Sequence, residues 1–244
     1  MNALKVKLHQ QSAVYRNPAT AEVVETYPLP PPSTIIGLIH SMLGISNQEP
    51  GSINVSIQGD YKAIYRDYQW YKQYSDKKKN TWENRPKPVT VHTLFDVDML
   101  LHFYFPNAAI CSKVKSCFEN PPYYPYLGRA EDLIKIDVAE PPRMVNITHQ
   151  KIESAYTKRG AYLRLEEAKR LNLRGVLYHL PSWLKEYQKV YVGKDEIYLR
   201  DFVWEALQYI ESGSYIESDE SAEIVVDEDG DFVWWCMQNP MEQR

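Results

Sequence analysis

Residues 27–44 read Tyr27-Pro28-Leu29-Pro30-Pro31-Pro32-Ser33-Thr34-Ile35-Ile36-Gly37-Leu38-Ile39-His40-Ser41-Met42-Leu43-Gly44. Three consecutive prolines hold φ at about −65° and carry no N–H, so Tyr27 to Pro32 reads as an extended loop. Ser33 then stands at a helix N-cap position, and Ile35, Ile36, Leu38, Ile39, Met42 and Leu43 supply a broad apolar helical face. Gly44 stands where a C′ residue closes a helix. Gly37 inside that helix costs about 1 kcal/mol relative to Ala, which points to another backbone or a ligand approaching closely. On spacing alone this is a buried amphipathic helix behind a rigid loop.

Around it, alternation predicts the rest of a layered α+β fold. Leu4, Val6 and Leu8 alternate with Lys5, Lys7 and His9 as a half-buried first strand. Ile53, Val55 and Ile57 begin a second strand that runs on through Tyr61 to Tyr71. Val89 to Phe105 holds a third, bent at Asp96-Val97-Asp98, and Ala108 to Phe118 a second helix. Leu133, Ile134, Ile136 and Val138 read as a fourth strand ended by Pro141-Pro142. The order β-α-β-β-α-β is that of the ferredoxin-like split βαβ unit. Residues 1–142 form this first domain. Residues 143–244 read as a smaller, mostly β lobe: a short helix over Leu163–Leu173 and strands at Gly175–Leu180, Val190–Leu199, Ile224–Val226 and Phe232–Cys236, the last two joined by a turn at Asp227–Gly230.

Tyrosine is the compositional outlier, with 19 copies in 244 residues, and its flat face suits both a core and a stacked base. The net charge of −4 hides an asymmetry. Residues 195–244 hold 14 acids against 2 bases, leaving 26 bases and 18 acids in residues 1–194. That distribution suggests a polyanion-facing body and an acidic end that points elsewhere or meets a basic partner. Cys111, Cys117 and Cys236 lack metal-ligand spacing, and the first two read as small buried hydrophobes. With no apolar signal core and no run of the ~18 apolar residues a membrane span needs, a reduced cytoplasmic protein without membrane attachment is expected.

Residues 61–88 carry eight bases (Lys62, Arg66, Lys72, Lys77, Lys78, Lys79, Arg85, Lys87) against three acids, and seven aromatics that include Tyr65 and Trp70. Bases that neutralise phosphates, interleaved with rings that stack on splayed bases, are the combination single-stranded RNA sites use. A solvated hairpin with a basic tip would have the same composition. The pattern of stacking residues on the sheet of an ordinary RNA-recognition motif does not occur, so loops and hairpins are the candidate contacts. The six histidines are scattered, the His and Cys spacings form no zinc site, and no cofactor motif is present.

The run Tyr27 to Gly37, preceded by Tyr15-Arg16-Asn17-Pro18 and followed by Tyr126-Leu127-Gly128-Arg129, resembles one family. It is the Cas-five subunit of type I CRISPR effector complexes, within the RAMP superfamily, and the matching blocks cover roughly residues 1–135. The resemblance implies a ferredoxin-like core with a long basic β-hairpin thumb at about 61–88. It also implies a non-catalytic role, type I-B-like: capping the 5′ handle of the CRISPR RNA (crRNA) in antiviral defence. The thumb would touch the repeated backbone subunit, the outer surface the large subunit, and target DNA would be met only indirectly. Arg16 and Arg129 would contact handle phosphates, Gly128 would let the backbone approach RNA, and Pro31 and Ser33 would lie on a rigid edge beside the handle. The alternative is the activity of type I-C members, which cut precursor RNA without metal through a base, an acid and a cation. There His40 is the candidate, with Tyr27 and Lys5 or Lys7 approaching it. A stand-alone single-strand RNA binder is a third reading.

Overall fold

The computed structural model describes residues 1–20, 22–45, 53–74, 84–192 and 195–237. Strand β1 (Asn2–Ala13) sends Leu4, Val6 and Leu8 into the core, and Lys5, Lys7 and His9 to the opposite face, because successive side chains alternate. A two-residue β2 (Val23–Val24) follows, then α1 (Pro32–Leu43). Ser33 is not the N-cap. Pro31 holds that position, at φ −57° and ψ 151° with no side-chain cap, and Pro32 opens the helix. A proline at the first helical position already has helical φ and no N–H to be capped. The other end is as expected: Gly44 has φ 66°, and its N–H reaches the Ser41 carbonyl at 3.2 Å.

β3 (Asn54–Tyr74) and β4 (Asn84–Tyr104) form one long antiparallel hairpin, in register from Asn54 opposite Tyr104 to Tyr74 opposite Asn84. The expected bend falls at Asp96, whose φ is 56° and where pairing lapses toward both β3 and β1. α2 (Ala108–Glu119) is capped by Asn107, whose Oδ1 accepts the Ala109 N–H at 2.9 Å. The strand expected over Leu133–Val138 contracts to β5 (Lys135–Ile136), since Leu133 and Val138 are 53% and 84% exposed and face no core. The longer partner of β1 on that side is β6 (Arg143–Tyr156).

The chain continues through β7 (Gly160–Arg164), α3 (Leu165–Arg170), β8 (Val176–Val192), β9 (Asp195–Ile210) and β10 (Tyr215–Asp227). The single strand expected over Val190–Leu199 is instead the end of a second long hairpin, with Val192 opposite Asp195. Phe232–Cys236 makes only isolated bridges, at Phe232 and Trp235. The result is a mostly β protein with few helices. Its ten-stranded sheet runs β10-β6-β1-β4-β3-β7-β9-β8, antiparallel throughout that path; β5 joins β1, and β2 runs parallel to β4. The sheet crosses position 142 without interruption, and the main core joins Leu4, Ile39 and Phe103 to Tyr162, Leu207 and Tyr209. Cys111 and Cys236 are buried in it.

α1 and α2 cover one face of the β1–β4–β3 region. On the other face Lys5, His102 and Ser56 form a cross-strand row, buried beneath Asp227–Met237. Trp234 N–H donates to Ser56 Oγ at 2.9 Å, and Trp234 is fully buried. The Lys5 ammonium lies 2.6, 2.7 and 2.7 Å from carboxylate oxygens of Asp227, Asp229 and Asp231. The three carboxylates could cradle a cation, and that place is taken by Lys5. Burial alone raises the acids' pKa, but the bonds from Lys5 and Arg159 prevail at Asp231 and hold it at about 2. His102 and Lys5 likewise hold Asp227 well below the carboxylate range against its burial. This part of the acidic end therefore meets bases of its own chain.

Candidate nucleic-acid interface

The three motif blocks of the sequence come together at one end of the sheet. Tyr27 N–H donates to the Tyr15 carbonyl at 2.8 Å, and Arg16 bridges Thr26, so the first two blocks pair. The third is tied to the first through Asp132 and Gln10. Asp132 is fully buried and accepts the Val14 N–H and Arg129 N–H, each at 3.0 Å. Gln10 Nε2 donates to the carbonyls of Leu127 (2.9 Å) and Asp132 (2.8 Å). Gly128, at φ 103°, packs so closely that a Cβ there would stand 2.8 Å from the Val14 carbonyl oxygen.

Arg129 is committed within the loop. Its Nε and Nη2 fork the Asp132 carboxylate at 3.0 and 2.8 Å, and Nη1 reaches Gln69 Oε1 at 3.2 Å. The hydrogen bonds to Asp132 raise its pKa further. It braces the loop against the first hairpin. Arg16 is exposed and has no ion-pair partner among the described residues. Pro31 is buried with the whole proline run 28–32, so it presents no edge to a ligand, while Ser33 is half-buried.

Beyond the core the first hairpin stands out as an arm. Lys62 is 74% exposed and pairs with Asp96. Tyr65, Tyr68 and Trp70 are 44%, 76% and 72% exposed, and Arg66 is exposed beside them. Lys72 and Arg85 lie on the described backbone of β3 and β4, with their side chains outside the description; Lys77, Lys78 and Lys79 lie outside the described residues altogether.

Gly37 meets nothing within 4 Å of a Cβ built on it, so no backbone packs there. It lines a half-open cavity of about 430 Å³ between α1, the 123–128 loop and the second hairpin. Tyr123 and Tyr126 stand on one side, Trp183 and Phe202 on the other, with Arg200 at the wall. Tyr123 Oη donates to Ser41 Oγ at 2.8 Å. His40 also lines it but is 2% exposed. Lys5 and Lys7 do not approach His40: they project from the opposite sheet face, where Lys7 pairs with Glu140. Tyr27 donates to Asn17 Oδ1 at 3.3 Å. The base–acid–cation set considered for RNA cleavage is therefore not brought together with Lys5 or Lys7.

Asp132 and Arg200 were missed in sequence. An acid three residues after Arg129 is a readable signal for a fork within a turn. Arg200 acquires its place only through hairpin pairing.

Among the described residues no helix is long and apolar enough to cross a membrane. No curated protein matches the sequence. Two solved structures share the fold at low identity. One, titled "CRISPR RNA-guided surveillance complex", is 14% identical with a TM-score of 0.54, over 86% of this chain and 90% of that one. The other, a CRISPR protein from Archaeoglobus fulgidus, is 15% identical with a TM-score of 0.51, over 98% and 100%. The molecule thus shares its fold with CRISPR-associated proteins. The family model described as "CRISPR-associated protein (Cas_Cas5)" matches residues 3–197, and the chain belongs to that Cas-five family.

Proposed function

We propose that this protein is a non-catalytic RNA-binding subunit of a type I CRISPR effector complex, type I-B-like, that caps the 5′ handle of the crRNA in antiviral defence. The observation that carries the reading is the junction of the three motif blocks beside the basic, aromatic arm, with Arg129 linking motif loop to arm through Gln69. Arg16, Lys62, Arg66, Tyr65 and Trp70 are the exposed contacts it assigns to RNA; Arg129, held by Asp132, braces the arm that carries the last four.

The strand order β6-β1-β4-β3 with α1 and α2 on one face supports a ferredoxin-like core. That core takes in β6, and β7 to β10 then extend the sheet at both of its edges as an appended β lobe. The arm reaches the repeated backbone subunit, the outer surface meets the large subunit, and target DNA is read by the guide rather than by this chain. A reduced cytoplasmic setting fits the three free cysteines.

The test is assembly of the purified subunits on crRNA with and without the handle, alongside incubation with repeat RNA in EDTA. Handle-dependent assembly without a discrete cut is expected. An EDTA-resistant cut lost in His40→Ala would replace the scaffold by a nuclease.

A further inference from the structure

We infer that the cavity over Gly37 receives a single unpaired nucleotide of RNA, its base against the aromatic walls and its phosphate at Arg200. This rests on the handle-binding reading above and names a subsite for it.

Three features point to such a ligand. The first is the space itself. A mid-helix glycine lowers helix stability, and in a packed helix a close neighbour usually explains it. Here none exists within 4 Å, and the missing side chain is what keeps the cavity open. At about 430 Å³ it falls within the range of small-ligand sites and has room for one nucleotide.

The second is charge. The chain as a whole is acidic, at −4, yet none of the described residues lining the cavity is an aspartate or glutamate. Its one guanidinium, Arg200, has no ion-pair partner among the described residues, whereas Lys189 on the paired strand is neutralised by Glu196 at 2.6 Å. The first turn of α1, whose Ser33 and Thr34 line the cavity, contains no acidic residue to offset the positive end of the helix. All of these favour an anion.

The third is shape. Tyr126 is 46% exposed, and with Tyr123, Trp183 and Phe202 it offers flat apolar faces from two separate elements. Rings for a base and an unpaired guanidinium for its phosphate are what one splayed nucleotide requires. Gly128 lines the same cavity, and the next residue, Arg129, is bonded to the arm. A strand lying along the arm thus reaches the cavity without leaving the protein surface.

The experiment uses the full chain and a handle-containing RNA, with abasic sites introduced one at a time. Gly37→Leu and Arg200→Gln are expected to bind about 10- to 100-fold more weakly, with melting temperatures not lowered. One abasic position should reproduce the Gly37→Leu loss in the wild type and add nothing to it in the variant. Should Gly37→Leu fold poorly, Arg200→Gln and the abasic scan decide alone. Wild-type affinity in both variants, or an abasic scan without a sensitive position, overturns the subsite while leaving handle binding intact. A wild-type chain with no affinity for the RNA overturns both.

Discussion

The two long hairpins of this protein have similar length and opposite electrical character. Residues 61–88 of the first carry a net charge of +5; residues 176–210 of the second carry four bases against five acids. In the first, Arg66 and Lys87 are exposed without ion-pair partners among the described residues. In the second, Lys189 pairs with Glu196 and Lys185 lies 3.9 Å from Asp201. The roots differ as well. Leu180, Leu207 and Tyr209 of the second hairpin are buried in the main core, whereas the outer half of the first is exposed from Lys62 to Tyr68. One hairpin is a basic, exposed arm; the other is a wall of the fold and of the cavity.

The largest expected effect separates the roots. Leu207→Ala, at 1% exposure, should lower unfolding free energy by about 2–5 kcal/mol. Tyr68→Ala, at 76% exposure, should change it by less than about 0.5 kcal/mol. Urea titrations of both variants would read this, and equal losses would erase the distinction. Arg129→Ala comes next. It strands the buried Asp132 carboxylate, and with Arg129 itself 19% exposed the loss should be about 2–3 kcal/mol. Weaker RNA binding at unchanged stability would instead return Arg129 to the ligand.

A third effect concerns salt. Arg66→Gln with Lys87→Gln should flatten the dependence of RNA affinity on salt by about 0.7 in log–log slope for each phosphate that is no longer neutralised. Lys185→Gln with Lys189→Gln should leave that slope unchanged, because these lysines already face acids. A flattened slope in the second pair would put both hairpins on the anion.

The smallest effect is in pH. Burial raises the Glu205 carboxyl in β9, only partly offset by Arg164, whereas Lys62 holds Asp96 down in the first hairpin. A raised folded pKa means that ionised Glu205 opposes folding at neutral pH and ceases to do so as the pH falls through that pKa. Glu205→Gln should therefore stabilise the protein at pH 7 by less than about 1 kcal/mol and have no such effect in acid. Asp96→Asn should show the reverse sign, its small cost present at pH 7 and vanishing as the pH falls. Thermal melts at pH 7 and pH 4 would compare them.

What sequence reveals here is local. Prolines and Gly44 delimit α1, alternation finds β1 and the first hairpin, and a polar Asp96–Asp98 marks a bend. What escapes depends on pairing between distant residues. The inward role of Asp227 and Asp231 arises from Lys5, far away in the chain, and β6 becomes the neighbour of β1 without a distinctive pattern of its own. Gly37 shows the limit most clearly: its cost is legible, but only the fold reveals that it borders open space. At the site, the three blocks can be read individually, while Arg129's commitment to Asp132 and the arrival of Arg200 require the structure.

The ammonium of Lys5 and the carboxylate of Asp227 are 222 positions apart. During synthesis the first strand is made at once, but its polar row waits for nearly the whole chain before it is sealed. Pairings of such long sequence separation make folding slow and leave partly formed sheet exposed to aggregation in the meantime. A nascent chain halted before Asp227 would hold the helices of the finished protein and lack its lock.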